Sequence, residues 1–337
     1  MYTRASRISE VAGLKYSSTT RVQQFSEEAS LFKFGKEQKI FQVGGVRIGG
    51  QRGELPTVLI GSVFHEGHRI VKDRKLGAFD RGKAKRLIEV QEEMSEKTGV
   101  PHMLDVVAET SQALVRYIDF VSEVTSAPFL INGQNMSVRI AAADHAAEVG
   151  LQERAVYCSI NYTLGEEEIK AIGESGLRAA VVQAFNPENP LPEGMMSILR
   201  GDAKREGLLD GARRAGIEKP LVLMPVLDVP SIGLGAQAIR LAKECFGMPT
   251  GTAPMGVVGR WKKAHSLGQH AKKLCRAGAA ALVQTMGADF IIYGSIAKAR
   301  DVFPVCAMID AITAYSARSL GLRPLTKGHP LYRIFQG

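Results

Sequence analysis

The sequence predicts an α/β protein folded as a (β/α)8 TIM barrel. Three observations carry that expectation. Eight short β-prone segments follow one another after residue 57, a stretch of helical periodicity follows each, and polar residues recur at the C-terminal ends of the apolar segments. In a β/α barrel those strand ends and the loops after them form the active-site mouth. The polar residues are Asp105 in HMLDVVA, Asn132 and Asn135 in PFLINGQN, Asn161 in VYCSIN, Gln183 in VVQAFNP and Asp228 in VLMPVLDVP. A ring of amides and carboxylates suits a flat, nitrogen-rich heterocycle better than a metal, because amides both donate and accept hydrogen bonds.

The elements are justified in chain order. Residues 1–30 lack apolar periodicity and read as a flexible N-terminal extension, leaving 31–337 as one barrel domain. IFQVGG and VRIGGQ, both β-rich and bounded by glycine, read as a hairpin of the kind that plugs the N-terminal end of a barrel. The eight strands are expected at 57–64, 102–108, 128–132, 155–161, 178–185, 220–227, weakly at 248–256, and at 288–295. Helices are expected at 83–98, 111–125, 137–149, 166–174, 204–215, 236–246, 262–286 and 302–320. Asp80 is placed to cap the first helix, and Thr110 or Ser111 the second. Gly99, Gly150, Gly176 and Gly216 fall where helices need a left-handed terminal residue. Alternation alone does not prove closure, and a doubly wound open sheet is the rival.

Composition narrows the function classes. With 337 residues and 45% apolar content the chain can bury a large core, and no segment carries the roughly 18 uninterrupted apolar residues of a transmembrane helix. The N-terminus has no apolar signal core, so a cytoplasmic protein without membrane insertion is expected. Cys158, Cys245, Cys275 and Cys306 are scattered without CxxC spacing and read as reduced core or helix residues, so no metal site is expected. The net charge of +9 is spread along the chain, with small clusters at Arg69 to Lys75, Lys83 to Arg86 and Arg260 to Lys263. That distribution fits an acidic protein partner rather than nucleic acid, which calls for a concentrated basic face with interleaved aromatics. His65, Glu66 and His68 supply two thirds of a metal site, but Gly67 and the loop setting break the i, i+4 helical spacing of metalloproteases, so a mobile loop over the mouth is the reading taken. No GxGxxG or P-loop supports dinucleotide or ATP chemistry.

Each ring member has a plainer reading beside the functional one. Asp105 could be salt-bridged to a neighbouring strand, since a buried carboxylate needs a partner. Asn132, Gln134 and Asn135 surround Gly133 at a strand-to-helix turn, where turn formation and capping also favour Asn and Gly. Asn161 and Gln183 gain weight by repeating on consecutive strands. Asp228 and Ser231 close the sixth strand, between Pro225 and Pro230 and the following helix, which Asp228 could instead cap.

Residues 32–73, PFLINGQN, CSIN, GADFIIYG (287–294) and HPLYRIF (329–335) span Phe32 to Phe335. Together these segments resemble the H-type subunit family of tetrahydromethanopterin S-methyltransferase and its bacterial relatives, the methylcorrinoid:tetrahydrofolate methyltransferases of demethylation systems. It implies a barrel of the pterin-binding type, a homodimer, and methyl transfer from the cobalt of a separate corrinoid protein to N5 of tetrahydrofolate or tetrahydromethanopterin. On that reading Asp105, Asn132, Asn135, Asn161, Gln183 and Asp228 are pterin ligands and Asn135 faces N5. The chain departs from relatives, which carry an acidic LDS-type loop at Asn132 and Gly133, an Asp near Met224 and an Asn near Gly256. Either the ring residues carry the pterin, or the pocket has shifted to another acceptor. Two alternatives stand beside this: a zinc-dependent thiol methyltransferase, and a non-catalytic scaffold that docks a corrinoid protein.

Overall fold

The structure, a computed structural model, describes residues 32–203, 205–268 and 270–335. The expected N-terminal extension lies outside them. An antiparallel hairpin of β1 (Ile40–Val43) and β2 (Val46–Gly49) comes first. Gly49 makes the hairpin's close exit possible: its φ is +110°, and a Cβ there would lie 2.2 Å from the Lys39 carbonyl oxygen.

Eight parallel strands then close into a barrel, which removes the open-sheet alternative. They are β3 (Val58–Val63), β6 (His102–Ala108), β7 (Phe129–Gly133), β8 (Ala155–Ile160), β9 (Ala179–Gln183), β10 (Lys219–Met224), β11 (Thr250–Thr252) and β12 (Phe290–Ser295), with β12 pairing back to β3. A small antiparallel pair, β4 (Val71–Asp73) and β5 (Ala78–Phe79), follows the first barrel strand.

The outer layer consists of α1 (Arg81–Thr98), α2 (Ser111–Val124), α3 (Met136–Glu148), α4 (Glu166–Ser175), α5 (Pro192–Arg200), α6 (Leu208–Arg214), α7 (Ile232–Phe246), α8 (Pro254–Arg260), α9 (Ala271–Thr285), α10 (Ala299–Ala317) and a short α11 (Pro330–Arg333). Asp80 and Thr110 cap α1 and α2 through their side chains, as expected. Gly99, Gly150, Gly176 and Gly216 all have φ between 71° and 78°. Three helical stretches depart from expectation. α5 grows from a proline-containing stretch for which no element is expected, because Pro192 sits in the first turn, where its missing N–H costs nothing. α8 occupies part of the segment read as the weak seventh strand, and β11 keeps only three residues. The long helix expected over 262–286 is divided, with a 3-10 turn at Lys262–Leu267 and Gly268 at φ +129° before α9 begins.

The core has two compartments, as strand alternation requires. Leu59, Leu104, Ile131, Tyr157 and Val182 face the helices. Val58, Ile60, Met103, Leu130, Val156, Val181, Leu221 and Phe290 fill the barrel interior, and hairpin residues Val43 and Ile48 join them from below. The hairpin therefore plugs the N-terminal end.

A buried ion pair ties that plug to the wall. Lys243 on α7 is fully buried, its Nζ 2.7 and 2.8 Å from the two carboxylate oxygens of Asp289 and 3.1 Å from the Gly50 carbonyl. Asp289 also accepts the Thr250 N–H at 2.8 Å. Burial pushes the Asp289 carboxyl up from its usual range, with Lys243 opposing that shift.

Candidate active site at the barrel mouth

Side chains two places beyond an inward-facing strand residue share its face. Applied to the interior set, the rule builds the upper ring: Ser62 above Ile60, Asp105 above Met103, Asn132 above Leu130, Cys158 above Val156, Gln183 above Val181, Leu223 above Leu221 and Ile292 above Phe290. Three of the six expected ligands, Asp105, Asn132 and Gln183, belong to this ring.

Asp105 is its centre of charge. It is 3% exposed, and its carboxylate accepts a hydrogen bond from Ser62 Oγ at 2.6 Å and another from Asn132 Nδ2 at 2.8 Å. Burial pushes its carboxyl up, while these two bonds and the nearby His65 pull it down. Donors from a bound ring would favour the charged form further. Asn132 remains partly accessible and opens onto a cavity of about 240 Å³ that Phe64, Arg74, Glu109, Tyr117 and Gln134 also line. The loop after Asn132 is held by Arg139, which bonds Glu168 at 2.7 Å and Tyr157 at 3.1 Å in a buried network beneath it.

The other three expected ligands have local partners. Asn135 is exposed and caps α3, its Oδ1 accepting from Val138 N–H and Ser137 Oγ. Asn161 Oδ1 accepts from the Thr163 backbone and hydroxyl, closing a turn. Asp228 is exposed and trades bonds with Ser231 in the loop before α7, which holds its carboxyl below the usual range. The geometry groups Asp105 with Asn132 and does not bring these three to them. Met224 faces the helices, so it is outside the ring altogether.

Ser62 and Cys158 are ring members that the sequence reading misses, although their spacing from Ile60 and Val156 is the same signal. His65, expected only as part of a loop, has a defined setting. It stacks on His68 with ring centroids 4.7 Å apart, and its Nδ1 lies 2.7 Å from the Glu66 carbonyl. A carbonyl only accepts, so Nδ1 carries a proton there, and Nε2 is buried without a hydrogen-bond partner among the described residues. The segment starts at Phe64, whose φ of 65° is a strained value for an aromatic residue at a strand end. Beside it, Arg69, Lys83 and Arg86 rim a second cavity of about 550 Å³, so two of the three basic clusters meet there. Among the described residues no group of three His, Cys, Asp or Glu side chains is placed to hold a metal ion. Among them, too, no helix is long and apolar enough to cross a membrane.

A closed barrel of eight parallel strands, wrapped by helices and with this polar ring inside its mouth, is a (β/α)8 TIM barrel. Solved structures with the same fold include dihydropteroate synthases. The Yersinia pestis enzyme in a sulfonamide drug complex aligns with a TM-score of 0.55 at 12% identity, covering 82% of this chain and 100% of that one. The Xanthomonas albilineans enzyme in complex with indole-2-carboxylic acid and 6-chloroguanine gives 0.50 at 16%, covering 84% and 98%. At such identities the likeness concerns the fold.

The chain itself belongs to the family described as tetrahydromethanopterin S-methyltransferase MtrH subunit, whose model matches residues 36–325. It is 40% identical over 316 residues to the tetrahydromethanopterin S-methyltransferase H-type subunit of Methanothermobacter thermautotrophicus, covering 90% of this chain and all of that protein. It is 38% identical over 307 residues to the H-type subunit of the putative methyltransferase mtx of Methanosarcina barkeri, covering 89% and 99%. The family is one of methyltransferases.

Proposed function

We propose that this protein transfers a methyl group from a corrinoid carried by a partner protein to N5 of a reduced pterin, either tetrahydrofolate or tetrahydromethanopterin. The observation that carries this reading is the buried Ser62–Asp105–Asn132 set inside the mouth of a barrel from a methyltransferase family. N5 forms the new bond to the methyl carbon, the cobalt–carbon bond breaks with its electron pair staying on cobalt as Co(I), and the N5 proton is released.

Both reactants bring their own reactive atoms, so the chain's task is positioning. Asp105 accepts hydrogen bonds from a ring N–H and the exocyclic amine, with Ser62 and Asn132 fixing the orientation of its carboxylate. Asn132 offers its amide oxygen to the same edge, and Gln183 reaches in from β9, three strands around the wall from Asp105. Capping of α3 accounts for the Asn135 side-chain oxygen, so its geometry does not carry the expectation that it faces N5. The basic rim of Arg69, Lys83 and Arg86 suits an acidic corrinoid protein arriving at the mouth. The exposed apolar stripe Met308, Ile312 and Tyr315 on α10 suits a second copy of the chain. A mass near twice 36.5 kDa by sedimentation equilibrium would support the homodimer, and a monomer at micromolar concentration would sink it.

The reaction is tested spectroscopically. Methylcobalamin or the methylated partner is mixed with the protein, and each reduced pterin is added in turn. The appearance of Co(I) absorbance with one of them is expected. No spectral change with either pterin, despite partner binding, would overturn the reaction and favour the scaffold reading.

A further inference from the structure

The loops and helices after the last two barrel strands carry two cations that lack counter-ions among the described residues. Lys298, just beyond β12, is partly buried, and Arg276 lies on α9 with its Nε buried and without a hydrogen-bond partner among those residues. Neither forms an ion pair there. The two repel each other: burial and the Arg276 charge together hold the Lys298 ammonium below its usual range. Both line a cavity of about 140 Å³ walled by Met255, Ala277, Ala280 and Val302, with the Lys273–Asp301 ion pair (2.6 Å) at its edge. Lys273 already neutralises Asp301, so this carboxylate is not spare for the pair.

Two like charges held together in a partly apolar cavity are unfavourable unless a counter-charge joins them. The end of a barrel after strands seven and eight is also where such folds commonly seat phosphate groups. Position relates the cavity to the mouth. A Cβ at Gly294 would lie 3.9 Å from Lys298 Nζ, so the ammonium stands over the end of β12. Gly294 pairs with Gly61 and Ser295 with Ser62, whose hydroxyl bonds Asp105 on the next strand. With neighbouring strands about 4.8 Å apart, the end of β12 under Lys298 stands two strand spacings, about 10 Å, around the wall from β6, which carries Asp105.

We propose that Lys298 and Arg276 bind an oxyanion, carboxylate or phosphate, on the tail of the pterin whose ring sits at Asp105. This rests on the pterin reading above and adds where the tail leaves the ring pocket. It assigns Lys298 and Arg276 a part in binding and none in the methyl transfer itself.

The test compares affinities, measured by calorimetry, of wild type, Lys298→Met, Arg276→Met and Lys298→Arg. The probes are tetrahydrofolate, tetrahydromethanopterin, a tail-less 6-methyltetrahydropterin and inorganic phosphate. Each Met variant is expected to bind a tailed pterin about 10-fold more weakly, the scale of one charge-assisted contact, while its affinity for the tail-less compound is unchanged. Lys298→Arg is expected to stay close to wild type, which separates lost charge from lost folding. Loss confined to tetrahydrofolate identifies a carboxylate, and loss confined to tetrahydromethanopterin together with loss of inorganic phosphate binding identifies a phosphate. Unchanged affinity for both tailed pterins, or equal loss for the tail-less one, overturns the proposal. If wild type binds neither pterin, the functional reading fails, whereas phosphate binding that disappears in Lys298→Met would still support the anion site.

Discussion

Replacing Asp105 by alanine is expected to weaken binding of the reduced pterin by about 100-fold or more. Hydrogen bonds to a charged group are each worth about 1.5–3 kcal/mol, and the ring would lose two of them, with each 1.4 kcal/mol equal to a factor of ten. The loss extends beyond the carboxylate, because Ser62 and Asn132 are oriented by it and would be left to find other partners. Calorimetric titration with both reduced pterins provides the measurement. Asn135→Ala, titrated in parallel, is expected to change pterin affinity by less than Asp105→Ala, since its side-chain oxygen bonds within the first turn of α3. Equal affinity of wild type and Asp105→Ala would remove the buried set from the site.

The second large effect is on stability. Lys243→Met is expected to cost about 3–5 kcal/mol, the usual penalty for stripping one partner from a buried ion pair. Lys243 is 0% exposed and the Asp289 side chain 10%, so water cannot take over the role of the missing ammonium. The same change frees the Gly50 carbonyl at the foot of the hairpin. Removing both partners, as in Lys243→Met with Asp289→Asn, is expected to cost less than Lys243→Met alone, because no unpaired charge stays buried. Denaturant titration of the three proteins decides it, and a single-variant cost under about 1 kcal/mol would show that the pair is not holding the plug.

Much of the barrel is legible in the sequence because its signals are local. Strands of five to seven residues with β-branched and aromatic side chains, followed by capped amphipathic stretches, identify themselves, and Asp80 and Gly99 mark the ends of α1 as their chemistry requires. The failures come where tertiary packing overrides local preference. α5 begins in a run of prolines, and β11 is three residues long and held by its neighbours β10 and β12 rather than by its own propensity. The site is legible as far as strand parity reaches. Asp105, Asn132 and Gln183 fall on the inward face by the same alternation as Met103, Leu130 and Val181, and Ser62 and Cys158 follow from the same rule. Asn135, Asn161 and Asp228 have the same residue types, but they lie one to four residues past their strands, where side chains bond back to their own loop. Lys298 and Arg276 give no signal, since two basic residues 22 positions apart become a pair only when α9 packs against the start of α10.

The hairpin of β1 and β2 has a consequence for the order of events. With Val43 and Ile48 filling the floor, the barrel is a well with a single opening, and every molecule that enters must depart the way it came. A pterin seated at Asp105 lies deeper than any protein docked across the rim. On the reaction proposed above, the two reactants would therefore queue: the small one goes in first, the large one closes over it, and the methylated product waits until the partner has gone.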